Sequence, residues 1–412
     1  MGTEHARHAV EAVVRDSYGR LVSFLAARSR DVAAAEDALG EALVAALRAW
    51  PRDGVPDRPE AWLLRAARYR LIDHARHDRV RADGAVTLRA AAERAEEVAM
   101  QADFPDDRLK LLFVCAHPAI DPDVHTPLML QTVLGLDAAR IARAFLVAPA
   151  AMSQRLVRAK VKIRDTGMEF AVPGTDELAP RLEAVLEAVY AAYGTSWDDV
   201  AGADARLQGL ADEALWLARV LVRLLPDDPE ARGLLALMLY CQARRPARRS
   251  PGGAYVPLSE QDVALWSRPL VAEAERALSA AAAMGAMGRF QLEAAIQSVH
   301  AQRAVTGRTE WEAIALFYEE LVRRAPTLGA RVGRAAALGN ARGAAAGLAA
   351  LATIAPEPVL SYQPYWAVRA HLLAEAGAGD EARAAYARAI ALSQDEAVRA
   401  FLLRRHCRVT AN

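Results

Sequence analysis

Between residues 138 and 164 the chain carries seven bases, Arg140, Arg143, Arg155, Arg158, Lys160, Lys162 and Arg164, and no acid. Lysine is otherwise nearly absent, Lys110 being the only other one. A local cationic stretch in a chain of zero formal net charge points to one polyanion-contacting surface, not to general stickiness. The chemistry available there is neutralisation of phosphates and reading of base edges by guanidinium and amide groups. Catalytic and cofactor chemistry have no comparable signal. No nucleophile–base pairing, glycine-rich phosphate loop or metal triad stands out, and neither catalytic residues nor cofactors are expected. Cys115 and His117 form a Cys-x-His pair, but a zinc site needs about four ligands and no second cluster accompanies them. Three scattered cysteines, Cys115, Cys241 and Cys407, fit a reducing cytoplasm rather than a disulfide framework.

The elements that must position those bases read as a helix-turn-helix. Leu136, Ile141, Ala142 and Phe145 share one face of a first helix. Pro149 suits the first turn of a second. In that second helix Met152, Leu156, Ala159 and Ile163 recur at i, i+4, i+7 and i+11, an apolar stripe for the core. Gln154, Arg155, Arg158 and Lys162 cluster on another face, as major-groove reading requires. The plain alternative is a solvated basic helix.

Two earlier segments carry a different pattern. Residues 31–50 form an amphipathic helix whose apolar side includes Val32, Ala35, Leu39, Leu43, Ala46 and Trp50, with Glu36, Asp37 and Glu41 as an acidic patch. Residues 59–81 place Arg65, Tyr69, Ile72, Arg76 and Arg79 on one face and Leu64, Leu71 and Ala75 on another. Bases with interleaved aromatics, here with Arg58 and Trp62 just ahead, suit opened or single-stranded nucleic acid. Ordinary core packing is the competing reading for Trp62.

The composition, 53% hydrophobic and 25% charged, supports a buried core over a length expected to hold two to four domains. Nearly every periodic stretch reads as helix, so the fold class is all-α. The breaks give residues 1–82 as a first helical domain, 83–103 as a polar linker, 104–167 as the helix-turn-helix domain and 168–412 as a long helical extension. In the extension Trp366, Ala370, Gly377, Ala382, Tyr386 and Ala389 fall at the spacing of one tetratricopeptide (TPR) unit, echoed around Ala214, Ala218 and Leu221 and in residues 311–321. Stacked hairpins of this kind present a concave surface for a partner. One larger Arg/Pro/Gly-rich loop spans residues 243–257. No run approaches the roughly 18 apolar residues of a membrane span, and a cytoplasmic location is expected.

The segments DVAAAEDALGEALVAALRAW and RPEAWLLRAARYRLIDHARHDR resemble regions 2.2 and 2.3–2.4 of extracytoplasmic-function sigma factors, and DDRLKLLFVCAHPAI with GLDAARIARAFLVAPAAMSQRLVRAKVKIR resembles sigma region 4. The later segments GRFQLEAAIQSVHAQ, TEWEAIALFYEEL and YWAVRAHLLAEAGAGDEARAAYARAIAL are similar to the C-terminal extension of the subgroup that carries TPR-like repeats. The resemblance implies a group-IV sigma factor whose partners are core RNA polymerase and promoter DNA. It implies that Glu36, Asp37, Leu39, Glu41 and Leu43 meet the β′ clamp helices. Arg58, Trp62, Arg65, Tyr69, Arg76 and Arg79 would meet the −10 element, and Arg140, Arg143, Gln154, Arg155, Arg158, Lys160 and Lys162 the −35 duplex, with the helix-turn-helix domain near the β flap. The extension would regulate, either through an outside partner or by contact with the chain's own sigma domains, the helix of residues 178–193 being the expected contact. Two other readings stay open: a helix-turn-helix regulator that is not a polymerase subunit, and a TPR-type scaffold.

Overall fold

The computed structural model describes residues 2–79, 106–145, 147–198 and 205–410. The fold is all-α, and the described residues hold no strand, only one isolated bridge between Arg249 and Tyr255. The linker expected at 83–103 lies outside them. The chain divides into two compact units, Met1–Ala214 and Leu215–Asn412.

Unit 1 begins with α1 (Gly2–Ser29), α2 (Val32–Asp53) and α3 (Pro59–Arg79), which pack on one another. Asp31 starts α2 by accepting a hydrogen bond from the Ala34 amide at 3.0 Å, satisfying one of the helix's orphan donors. Gly54, at φ 85°, ends it, its N–H donating to the Trp50 carbonyl. Val32, Ala35, Ala38, Leu39, Ala42, Ala46 and Trp50 form the buried stripe. Leu43, expected on it, is only half-buried. On α3 the buried residues are Leu63, Leu64 and Ala67. Leu71 is half-buried, so the apolar face lies towards the start of the helix rather than along its length.

Four helices follow: α4 (Arg108–Cys115), α5 (Pro122–Thr132), α6 (Ala138–Ala144) and α7 (Pro149–Thr166). They join the first three through α1, which packs on α4 and α5, and through α2, which meets α7. A Cβ on Gly19 of α1 would overlap the Val133 carbonyl, and one on Gly135 would come within 2.9 Å of the Tyr18 ring. Glycine here allows two backbones to approach more closely than any side chain permits. The next helix, α8 (Thr175–Asp198), packs on α4 and α5. It buries Leu182, Val185, Leu186 and Val189. The boundary between the units falls within α9 (Ala205–Leu224).

Unit 2 is a succession of helices in which each packs on its chain neighbours: α10 (Pro229–Ala243), α11 (Arg268–Ala283), α12 (Arg289–Thr306), α13 (Trp311–Arg324), α14 (Leu328–Arg342), α15 (Ala344–Ala352), the short α16 (Pro356–Val359), α17 (Gln363–Glu375), α18 (Gly379–Leu392) and α19 (Glu396–Thr410). The residues that carried the repeat reading form the α17–α18 hairpin. Ala370, Ala382, Tyr386 and Ala389 are buried at its crossing and Gly377 makes the turn at φ 77°. Trp366 is half-buried and donates its indole N–H to the Val359 carbonyl at 2.9 Å. The loop after α10 winds through three short 3₁₀ turns and is fastened to the end of the chain. Arg249 pairs with Asp395 at 2.6 Å, Arg405 with Glu260 at 2.8 Å, and Tyr255 meets Phe401 edge-on.

Candidate nucleic-acid interface

The second helix of the helix-turn-helix, α7, starts at Pro149 and stops at Gly167, whose left-handed φ of 62° lets its N–H return to the Arg164 and Ile163 carbonyls. Met152, Leu156, Ala159 and Ile163 are buried, as the spacing predicts. Gln154, Arg155, Arg158 and Lys162 are exposed. On α6, Ile141 and Ala142 are buried with Leu136 just ahead, while Phe145 is partly exposed at the turn. Asp137 accepts from the Arg140 amide at 2.8 Å and so begins that helix. Arg140 is half-buried, and the Arg143 side chain lies outside the described part.

Arg155, Arg158 and Lys162 line a cleft of about 290 Å³ whose opposite wall is Ile120, Asp121, Asp123 and Val124 at the start of α5. The two aspartates were not part of the sequence reading, because they sit about 40 residues before the bases they face. The surface is therefore not uniformly positive: the arginines stand opposite acids that an incoming phosphate would have to displace or avoid. An Asp-Pro-Asp tripeptide opening α5 was the available signal, and it reads locally only as a helix start.

Lys160 departs from the expectation. It is buried, and its Nζ makes an ion pair with Glu36 Oε2 of α2. The reason is angular. At 100° per residue Lys160 lies about 160° round α7 from Arg158, and only about 40–60° from Leu156 and Ile163. It belongs to the rim of the core stripe, not to the basic face.

The acidic patch of α2 is dispersed in the same way. Glu36 lies about 40–60° from Val32 and Leu39 and is carried into the packed surface. Burial and then neighbouring Asp37 push its carboxyl up against the pull of Lys160. Glu41 pairs with Arg70 of α3. Leu39 is completely buried among the unit 1 core residues and cannot touch a partner as folded. Of the acids, Asp37 is the exposed one.

On the α3 side, Arg58, Arg65 and Tyr69 are exposed, and the Arg65 guanidinium stands 5.8 Å from the Tyr69 ring centroid. Tyr69 keeps 51% of its surface open, which suits a stacking platform beside a cation. Trp62 is half-buried and meets buried Trp50 edge-on at 5.6 Å, so core packing explains it. The side chains of Arg76 and Arg79 lie outside the described part. Cys115 is fully buried 3.5 Å from the Thr132 hydroxyl, and burial pushes its thiol up to about 12. His117 uses Nδ1 to accept from the Ala119 amide at 3.1 Å. The Cys-x-His spacing thus reflects a core residue followed by a turn residue.

Compared with known proteins, residues 13–81, which span most of α1 and all of α2 and α3, match the family model described as sigma-70 region 2. The chain belongs to the sigma-70 family. Residues 181–282, from α8 to the end of α11, match a family of unknown function (DUF6596). An uncharacterized protein of Rhizobium meliloti (strain 1021) is 37% identical over 378 residues, covering 90% of this chain and 89% of that protein. The two belong to one family, in which a sigma-70 region 2 precedes a long helical extension. No solved structure matches. Among the described residues no helix of this sigma-family chain is long and apolar enough to cross a membrane.

Proposed function

We propose that this chain is an extracytoplasmic-function type sigma factor that binds core RNA polymerase in the cytoplasm, reads the −35 duplex through α7 and holds the opened −10 element through α3. The observation that carries the reading is the exposed Gln154, Arg155, Arg158 and Lys162 face on the second helix of a helix-turn-helix, in a chain whose first helices match sigma-70 region 2. A helix with one core stripe and one polar, cationic face has the form needed to enter a major groove. Arg65 and Tyr69 supply a cation and an open ring for unstacked bases. Asp37 and half-buried Leu43 are the α2 groups open to the β′ clamp helices. Helices α6 and α7 would lie by the β flap. The polymerase does the chemistry, so the chain needs no catalytic residue of its own. Unit 2 is read as a TPR-like regulatory array.

Run-off transcription with purified core polymerase tests this. The full chain is expected to direct initiation from a subset of promoters that core alone ignores. Duplex binding without any stimulation of core would overturn the sigma reading in favour of a free-standing helix-turn-helix regulator. Salt-independent, negligible DNA binding would favour a scaffold.

A further inference from the structure

Glu36 and Lys160 lie 124 residues apart in the chain, on α2 and α7, and form an ion pair with side chains only 15% and 10% exposed. It lies on the seam where α2 meets α7 and α1 meets α4 and α5. Along that seam Gly19 is seated on the Val133 carbonyl, and Arg28 reaches Asp107 at 3.3 Å. Removing a charge from water is costly unless a partner and further hydrogen bonds compensate. Compensation here is incomplete: Glu36 Oε1 is buried with no hydrogen-bond partner. Its surroundings offer little help, since Tyr18 and Asp37 are the other polar groups close to it. The pair therefore fixes which surfaces meet without making their meeting strongly favourable. That balance suits a contact meant to open.

We propose that the Glu36–Lys160 pair is a latch that holds α2 against α7 in the free chain, and that core polymerase releases α7 when it takes α2. This rests on the sigma reading above, because it assigns α2 to the polymerase and α7 to the promoter. While the latch is closed, Glu36 cannot be offered to a partner and Lys160 cannot leave the core rim. Opening costs the free chain the pair and the seam. A polymerase that binds only the open form meets that cost, after which the α6–α7 module is free to swing onto the duplex. Linkage then requires reciprocity: whatever factor polymerase adds to duplex affinity, duplex adds to polymerase affinity.

Two measurements on the full-length chain test the latch. In competition for core polymerase, Lys160→Met leaves α2 unaltered but removes the partner of Glu36, and is expected to bind on the order of tenfold tighter. In hydrogen exchange, Lys160→Glu sets two carboxylates together and is expected to speed exchange in α2 and α7 several-fold. The swapped double variant Glu36→Lys/Lys160→Glu should return it towards wild type. Wild-type competition by Lys160→Met, or unchanged exchange in Lys160→Glu, overturns the latch. If Lys160→Met folds poorly, restoration or its failure in the swapped variant decides. A wild-type chain that does not bind core at all sinks the sigma reading instead, and the exchange experiment still judges the latch by itself.

Discussion

Single residues decide which of the cations can meet DNA. Arg155, Arg158 and Lys162 share an exposed face, and each phosphate left without its cation should lower the steepness of the salt dependence by about 0.9. Replacing all three by alanine is therefore expected to flatten the plot of log affinity against log salt by about two to three, measured by fluorescence anisotropy on a promoter duplex. Arg158→Ala alone should cost about 1–3 kcal/mol if that side chain reads a guanine. An unchanged slope in the triple variant would place the interface elsewhere. A different residue sets a pH response in unit 2. Burial, with Arg244 and Arg303 nearby, pushes His300 from 6.5 down to about 3. A depressed folded-state value means the unfolded chain binds the proton first. The contribution is present above 6.5 and lost as pH falls towards about 3, at about 1.4 kcal/mol per pH unit. Urea midpoints followed from pH 7 to pH 5 should fall in the wild type, and His300→Gln should show a shallower decline.

Helix elements are held by pairings that a linear reading does not reveal. The start of α12 is capped by a carboxylate from another helix. Glu230 of α10 accepts from the Phe290 amide at 2.8 Å, the Gln291 amide at 3.1 Å and the Gln291 side chain at 3.2 Å. Two glycines make room: a Cβ on Gly233 would lie 2.6 Å from the Gln291 nitrogen, and one on Gly288 would overlap the Glu230 carboxyl. Glu230→Ala leaves two amide donors at the helix start without their acceptor, and should cost unit 2 about 1–3 kcal/mol. Glu230→Gln, which keeps an acceptor oxygen, should cost less. Chemical denaturation followed by circular dichroism distinguishes them, and equal losses would show that the cap contributes by shape alone. The period of the apolar residues made α2, α7 and the α17–α18 hairpin legible beforehand, because each helix's own spacing carries that information. Glu230 was not legible, since nothing in its neighbourhood says which distant helix start it will meet.

For the whole molecule, the question is where the sigma part ends. Sequence breaks put the boundary at residue 167, whereas the compact first unit runs to Ala214. Helix α8 packs on α4 and α5, although residues from 181 on match the extension's own family. A fragment of residues 1–167 should therefore unfold at lower urea than one of residues 1–198, because it uncovers the surfaces that Leu182, Val185, Leu186 and Val189 bury. Deleting four such side chains from a core costs several kcal/mol. Equal midpoints would mean that α8 adds nothing to the helices it touches. By itself the sequence determined the all-α class, the helix-turn-helix with its core stripe, the exposed Gln154, Arg155, Arg158 and Lys162 face, and a helical extension. All of these follow from periodicity and local charge, which are properties of one helix at a time. Only the tertiary structure decided that Lys160 is a core-rim residue paired with Glu36, that Glu41 is engaged by Arg70, and that Asp121 and Asp123 face the reading helix. It also decided that α8 lies within the first unit. Those are pairings between helices far apart in sequence, chosen by which surfaces bury one another, and a period within one helix carries no record of its partner.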